Sequence, residues 1–220
     1  VEGKRVVVQG LGNVGYHSAK FFQDAGAKVI GLAEYEGAIY NTKGLDIDAV
    51  FNHRKTTGSI LNFPGATNFE KNGDALEMEC DILIPAALEN VINEENAPRV
   101  KAKIIGEAAN GPLTPEADEI LSKNGTLVVP DMYLNAGGVT VSYFEWLKNL
   151  SHVRYGRMEK RFTENLNGHI LGQIEELSGK KVSDTERKFI MHGPEEQDLV
   201  HSGLEETMIT ATREIMDIWK

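Results

Sequence analysis

Three glycines near the start of the chain have the spacing of a dinucleotide-binding loop. Gly10, Gly12 and Gly15 form a G-x-G-x-x-G sequence. In such a loop the first glycine permits a tight turn, the second lets backbone N–H groups approach a pyrophosphate, and the third allows a helix to pack closely. Glu34 follows about 20 residues later, where a carboxylate accepts hydrogen bonds from an adenosine ribose and repels a 2′-phosphate. The pattern therefore predicts binding of NAD or NADP, with NAD favoured.

Small and amide side chains follow three later strand-like segments. Ala86 and Ala87 come directly after an apolar run, and their size would let a ribose and a nicotinamide pass close to the backbone. Asn110 and Asn135 follow the next two runs, where a side-chain amide can hold a carboxamide. A turn-forming role is an equally good interpretation of each asparagine taken singly. Because ligands of open parallel sheets bind outside the carboxyl ends of the strands, their shared position favours ligand contact.

The elements that must position these residues alternate along the chain. Apolar or β-branched runs predict strands at residues 5–9, 28–34, 80–85, 103–107 and 126–129. Helical patterns begin after the glycine loop, with Gly26 as C-terminal cap, and at Asp46, Thr114 and Gly137. Residues 37–44 and 58–73 are predicted to be turns and loops. This alternation predicts an α/β fold, a Rossmann-like, doubly wound and mostly parallel sheet flanked by helices.

The composition indicates a folded protein with an acidic surface. The 220 residues include 23 Lys and Arg against 33 Asp and Glu, which gives a formal net charge of −10. Such a surface repels phosphate backbones and anionic lipids, so neither a nucleic acid nor a membrane is an expected partner. The single cysteine, Cys80, excludes an internal disulfide and a cysteine-based zinc site, and the six histidines show no metal-ligand spacing. No metal is predicted.

The character of the sequence changes near Ser151. Charged residues then dominate as far as about Leu199, and apolar residues at helical spacing predict one amphipathic helix that needs a partner surface. We divide the chain into a dinucleotide-binding domain at residues 1–150, a charged appendage at 151–204 and a further helix at 205–220. The first core strand starts almost at residue 1 and the helical pattern still runs at the last residue, so a segment of a larger polypeptide is expected.

Several stretches of the chain resemble the glutamate dehydrogenases of the amino-acid dehydrogenase superfamily. They are VQGLGNVG (8–15), CDILIPAA (80–87), NAPRVKAKII (96–105), ANGPLTPEAD (109–118) and PDMYLNAGGVTVSYFEW (130–146). The last is highly specific, and the resemblance covers essentially the whole chain. Residues 151–204 resemble the antenna of the hexameric animal and protist enzymes. Residues 205–220 resemble the start of their pivot helix.

The resemblance implies oxidative deamination of L-glutamate to 2-oxoglutarate and ammonia, with a hydride passing to NAD or NADP. It places Asn13 and Val14 at the pyrophosphate. It also places Val139 and Ser142 at the substrate, with Ser142 near the side-chain carboxylate of glutamate. A homohexamer, purine-nucleotide effectors and a mitochondrial matrix location are further implications.

The same resemblance implies that this chain contains no catalytic residue. In the family the catalytic Lys and Asp belong to an upstream substrate-binding domain, and general acid–base chemistry needs such a pair beside the nicotinamide. We therefore predict that the chain alone binds the dinucleotide without turning over glutamate. Two alternatives stay open: a non-catalytic dinucleotide-sensing module, and the cofactor domain of a leucine, valine or phenylalanine dehydrogenase. Residues 135–146 and the antenna-like stretch favour the glutamate enzyme.

Overall fold

The computed structural model describes residues 1–150, 155–192 and 196–219. The chain forms two compact units, Val1–Ala136 and Gly137–Lys220. The sequence-based boundary at residue 150 therefore falls inside the second unit, which includes the helix that follows Ala136. The start of the predicted appendage, at residues 151–154, lies outside the described residues.

The first unit is built on a seven-stranded sheet. The strands are β1 (Arg5–Gln9), β2 (Lys28–Glu34), β3 (Gly37–Tyr40), β4 (Thr67–Asn68), β5 (Ile82–Pro85), β6 (Ile104–Gly106) and β7 (Leu127–Val129). Their order is β4-β3-β2-β1-β5-β6-β7. The strands that pair in parallel are β2, β1, β5, β6 and β7, whereas β3 and β4 add an antiparallel edge. The predicted Rossmann-like, mostly parallel α/β fold is confirmed.

The antiparallel edge corrects the expectation that residues 37–44 and 58–73 are only turns and loops. β3 has four residues and β4 has two, which is too short for a strand periodicity to be visible in the sequence. Gly37 pairs with Glu34 in this edge, and the Leu61 side chain packs against it. A Cβ built at Gly37 would lie 2.5 Å from Leu61 Cδ2.

Two of the four helices of the first unit begin at a residue whose side chain binds a free backbone amide. The four helices are α1 (Asn13–Asp24), α2 (Ile47–Thr57), α3 (Pro115–Lys123) and the single turn α4 (Asp131–Leu134). The Asp46 side chain accepts a hydrogen bond from the Ala49 N–H at the start of α2, and the Thr114 side chain does the same for Ala117 in α3. Ala25 is the C-cap of α1, so the glycine predicted as the cap lies one residue further on, with φ of 83°.

Both faces of the sheet are buried, and the alternation of side chains along β1 shows how. Val6 and Val8 belong to one apolar cluster with Ala19 of α1, whereas Val7 belongs to another with Leu121 of α3. Burying each such side chain stabilises the fold by about 1.5–3 kcal/mol. Packing on both sides therefore fixes the central strands, and with them the loops at their carboxyl ends.

The second unit is helical. Its helices are α5 (Ala136–Leu150), α6 (Tyr155–Ser178), α7 (Asp184–His192) and α8 (Glu196–Trp219). The Asn167 amide donates to the Ile190 carbonyl at 2.9 Å, and Arg187 pairs with Glu175 at 2.5 Å, which ties α6 to α7. Leu171 of α6 is buried, while Phe162 remains largely exposed. α8 crosses the predicted boundary at residue 204 without a break. Among the described residues, no helix combines the length and apolar character needed to span a bilayer.

Candidate dinucleotide site

The glycine loop between β1 and α1 is tightly folded against neighbouring backbone. Gly10 has φ of 95°, a conformation that favours glycine, and a Cβ built there would lie 2.8 Å from the Ala86 carbonyl oxygen. A Cβ built at Gly15 would lie 2.0 Å from the Gly10 carbonyl oxygen. Side chains at Gly10 and Gly15 are therefore excluded by the fold itself.

Gly12 differs from the other two glycines because space is open around it. No heavy atom of the described residues beyond its chain neighbours lies within 4 Å of a Cβ built at this position. Gly12 is also the N-cap of α1, whose first turn contains no acidic residue. Asn13 and Val14 begin the helix and are exposed. Because the first N–H groups of a helix have no intrahelical acceptor and mark its positive end, the loop fits a pyrophosphate.

Glu34 lies at the carboxyl end of β2, beside this loop. One of its carboxylate oxygens accepts a hydrogen bond from the Leu11 N–H, and the other pairs with the Arg54 guanidinium at 3.0 Å. Arg54 also donates from Nε to Glu36 Oε1 at 2.9 Å, and its Cζ lies 5.9 Å from the centre of the Tyr35 ring. Sequence reasoning located Glu34 but missed Arg54, because α2 brings that arginine to the site from a segment with no recognisable motif.

The two asparagines predicted at the nicotinamide end lie next to each other. The Asn135 side chain donates from Nδ2 to Asn110 Oδ1 at 2.6 Å. This bond leaves the Asn110 amide group and the Asn135 carbonyl oxygen with capacity for further hydrogen bonds. Ala86 directly follows Pro85, whose carbonyl accepts a hydrogen bond at 2.9 Å from the N–H of Ala109, the residue before Asn110. The structure therefore brings together residues that follow β5, β6 and β7.

Two acidic residues that the sequence reasoning did not select organise the same edge. Glu107 directly follows β6, is only 9% exposed, and accepts a hydrogen bond at Oε2 from the Asp131 N–H at 3.0 Å. Asp131 in turn accepts at Oδ2 from the Gly111 N–H at 2.8 Å. Burial raises the pKa of Glu107 above its ordinary value. Their only sequence signal is a carboxylate at the end of an apolar run.

Val139 and Ser142 lie on α5, in the second unit. Val139 is 74% exposed, and the Ser142 hydroxyl donates to the Gly138 carbonyl at 3.1 Å. Three residues apart on a helix, they share one face. The ionised carboxylate of a glutamate substrate can only accept hydrogen bonds. The Ser142 hydroxyl would therefore have to break its bond to the Gly138 carbonyl before it could donate to the substrate. Their assignment to the substrate stays a prediction. Among the described residues, no group of three or more His, Cys, Asp or Glu side chains is arranged to hold a metal ion.

The sheet order, the glycine loop at the start of α1 and the acidic residue at the end of β2 define a Rossmann-like α/β protein. Residues 1–191 match the family described as Glutamate/Leucine/Phenylalanine/Valine dehydrogenase. The chain belongs to this family.

Named relatives are consistent with this membership. The chain is 55% identical over 214 residues to a mitochondrial glutamate dehydrogenase of Dictyostelium discoideum, covering 97% of this chain and 43% of the relative. It is 50% identical over 151 residues to an NADP-specific glutamate dehydrogenase of Saccharolobus shibatae, covering 69% and 36%. The chain thus spans less than half the length of the curated relatives it matches.

A solved structure shows the same fold. The hetero-hexameric glutamate dehydrogenase from Thermus thermophilus, in its leucine-bound form, is similar to this chain with a TM-score of 0.63 and 29% sequence identity. The similarity covers 93% of this chain and 47% of the Thermus chain.

Proposed function

We propose that this chain is the dinucleotide-binding part of a glutamate dehydrogenase, which converts L-glutamate, NAD(P)⁺ and water to 2-oxoglutarate, ammonium, NAD(P)H and a proton. The observation that carries the proposal is the open space around Gly12, at the start of α1, where no side chain caps the helix. The preceding residue, Leu11, donates its N–H to the Glu34 carboxylate. Glutamate is proposed as the substrate because the relatives at 50% and 55% identity bear that name. This favours it over leucine, valine or phenylalanine.

The residues of this chain would hold an extended dinucleotide along the carboxyl edge of the sheet. The first amides of α1, at Asn13 and Val14, would bind the pyrophosphate, and Glu34 would accept hydrogen bonds from the adenosine ribose. Asn110 and Asn135 would hold the carboxamide, so that one face of the nicotinamide ring meets the substrate. When bound, the nicotinamide supplies the hydride acceptor. The chain's own contribution is therefore binding and orientation.

Arg54 refines the expected preference for NAD. Its guanidinium offsets the charge of Glu34, so a 2′-phosphate at this point would meet a cation as well as a carboxylate. Both charges of the pair are partly buried, and Arg54 is already held by Glu34 and Glu36. We propose that NAD is preferred and that Arg54 allows NADP to bind more weakly.

The proton-transfer groups of the reaction are proposed to lie outside this chain. Catalysis at an imine needs a general acid or base beside the nicotinamide. The two carboxylates at this edge, Glu107 and Asp131, already accept hydrogen bonds from backbone amides. We further propose that residues 151–204 form an antenna, that the whole protein is a hexamer responding to purine nucleotides, and that it works in mitochondria. The Dictyostelium and Thermus proteins, by their names, support the location and the hexamer.

A comparison of binding with turnover tests the proposal. The purified 220-residue chain is titrated with NADH, and binding is followed by the fluorescence of the reduced nicotinamide. Saturable binding is expected, together with no reduction of NAD⁺ when L-glutamate is added. Glutamate-dependent NADH formation by this chain would contradict the placement of the catalytic residues elsewhere, and absence of binding would contradict the proposed site.

A further inference from the structure

Glu107 is a carboxylate in a position that ordinarily belongs to apolar side chains. It is 9% exposed at the end of β6, next to the buried residues Ile105 and Gly106. Glutamate is rarely buried to this degree unless it has partners, because moving the charge out of water is costly. An apolar residue of similar volume would fill the same space without that cost. The carboxylate therefore requires an explanation beyond packing.

Glu107 is hydrogen-bonded to the loop that carries Asn135. Its Oε2 accepts from the Asp131 N–H at 3.0 Å. Asp131 begins α4, the single turn that ends at Leu134, and Asn135 follows directly. The buried carboxylate is thus bonded directly to this loop.

Asp131 closes the connection at the surface. Its side chain accepts from the Gly111 N–H at 2.8 Å, and its backbone carbonyl accepts from the Asn135 N–H at 3.0 Å. The hydrogen bonds thus link Glu107 to Asp131, and Asp131 to Asn135 and to Gly111, the residue after Asn110. The two asparagines are themselves joined at 2.6 Å. Movement of either loop would break at least one of these bonds and separate the two amides.

We propose that Glu107 is a positioning residue for the nicotinamide end of the site, acting through Asp131 to hold Asn110 and Asn135 at a fixed separation. This inference rests on the proposed dinucleotide-binding function. It assigns Glu107 no contact with the ligand. Its effect is confined to the half of the dinucleotide that the asparagines would hold.

Two ligands separate the two halves of the site. NADH reaches both ends, whereas ADP-ribose lacks the nicotinamide and occupies only the Glu34 and α1 end. In the purified protein, Glu107→Gln is expected to weaken NADH binding by about tenfold and to leave ADP-ribose binding unchanged within about twofold. Asp131→Ala, at a half-exposed position, is expected to show the same selective loss and provides a second variant should Glu107→Gln fail to fold.

Asp81→Asn is the matched control. Asp81 is also a poorly exposed carboxylate, and it accepts a hydrogen bond from the Arg5 N–H at 3.0 Å. It directly precedes β5, however, and so lies at the amino ends of the parallel strands, away from the proposed site. Its replacement is expected to lower thermal stability without changing the ratio of the two affinities. If the role of Glu107 is purely structural, Glu107→Gln should likewise lower thermal stability and leave the ratio of the NADH and ADP-ribose affinities unchanged.

The outcomes distinguish this inference from the function on which it rests. The positioning role alone would be overturned if the wild-type protein binds both ligands and the variants of Glu107 and Asp131 keep their NADH affinity. The same holds if their affinities for NADH and for ADP-ribose fall by the same factor. Wild-type protein that binds neither ligand would overturn the proposed function and the positioning role together. A selective loss of NADH affinity in either variant supports the inference.

Discussion

Replacing Gly12 by alanine separates a loop that binds a ligand from one that merely connects a strand to a helix. Among the described residues beyond its chain neighbours, no heavy atom lies within 4 Å of a Cβ built at Gly12, and φ there is −74°, a value that any residue adopts. Gly→Ala at a compatible position stabilises a protein by about 0.4–1 kcal/mol through the unfolded state. Alanine is a poorer N-cap than glycine by a comparable amount. The two effects oppose each other, so stability should change by less than about 1 kcal/mol.

NADH binding should respond quite differently. The new methyl group would occupy the space next to the first amides of α1 and keep a pyrophosphate from reaching them. Loss of one charge-assisted hydrogen bond costs about 1.5–3 kcal/mol, which corresponds to a roughly 10- to 150-fold larger dissociation constant for NADH. The assay is a fluorescence titration with NADH, accompanied by thermal unfolding of the same sample.

Gly15→Ala is the contrasting variant in this experiment. Its Cβ would lie 2.0 Å from the Gly10 carbonyl oxygen, so the loop must move, and a loss of stability of about 1–3 kcal/mol or more is expected. Wild-type NADH affinity in a correctly folded Gly12→Ala protein would refute the assignment of this loop to a pyrophosphate.

Two further predictions concern charged groups elsewhere in the first unit. Arg54→Ala should raise the ratio of the NADPH to the NADH dissociation constant by about tenfold, because the 2′-phosphate then faces Glu34 without its guanidinium partner. Lys55→Ala, which removes the same charge from the next residue of α2, should leave that ratio unchanged, and an equal effect of the two variants would contradict a local role. Hydrogen bonds from Arg5 and Lys103 hold the pKa of Asp81 in the folded state well below its usual range. The ionised carboxylate therefore stabilises the fold fully at pH values above the unfolded-state pKa of about 3.9. This contribution is lost as the pH falls towards the folded-state pKa. Urea denaturation should therefore show Asp81→Asn to be about 1–3 kcal/mol less stable at pH 7, with the difference shrinking below pH ~4; a difference independent of pH would contradict this linkage.

Much of the fold follows from short-range chemistry that can be recognised in the sequence. The glycine spacing predicts the turn after β1 because only glycine tolerates the φ of Gly10 and the contact at Gly15. Asp46 and Thr114 mark helix starts because their side chains reach amides three residues away. The apolar runs predict the parallel strands because both faces of the sheet are buried. Each of these signals is local.

The short strands β3 and β4 were missed because of their length, whereas the missed side-chain contacts depend on how distant segments pair and pack. The pairing of Gly106 with Val129 sets β6 beside β7, and this brings Glu107 to Asp131 and Asn110 to Asn135. In the same way, the packing of α2 brings Arg54 to Glu34.

The sequence by itself thus determined the class of fold, the glycine loop and the residues at the strand ends. Only the tertiary structure decided which of those residues touch and which charges are balanced. The physical reason is that a hydrogen bond or an ion pair depends on distances of about 3 Å, and between residues far apart in the chain such distances are set by strand register and packing.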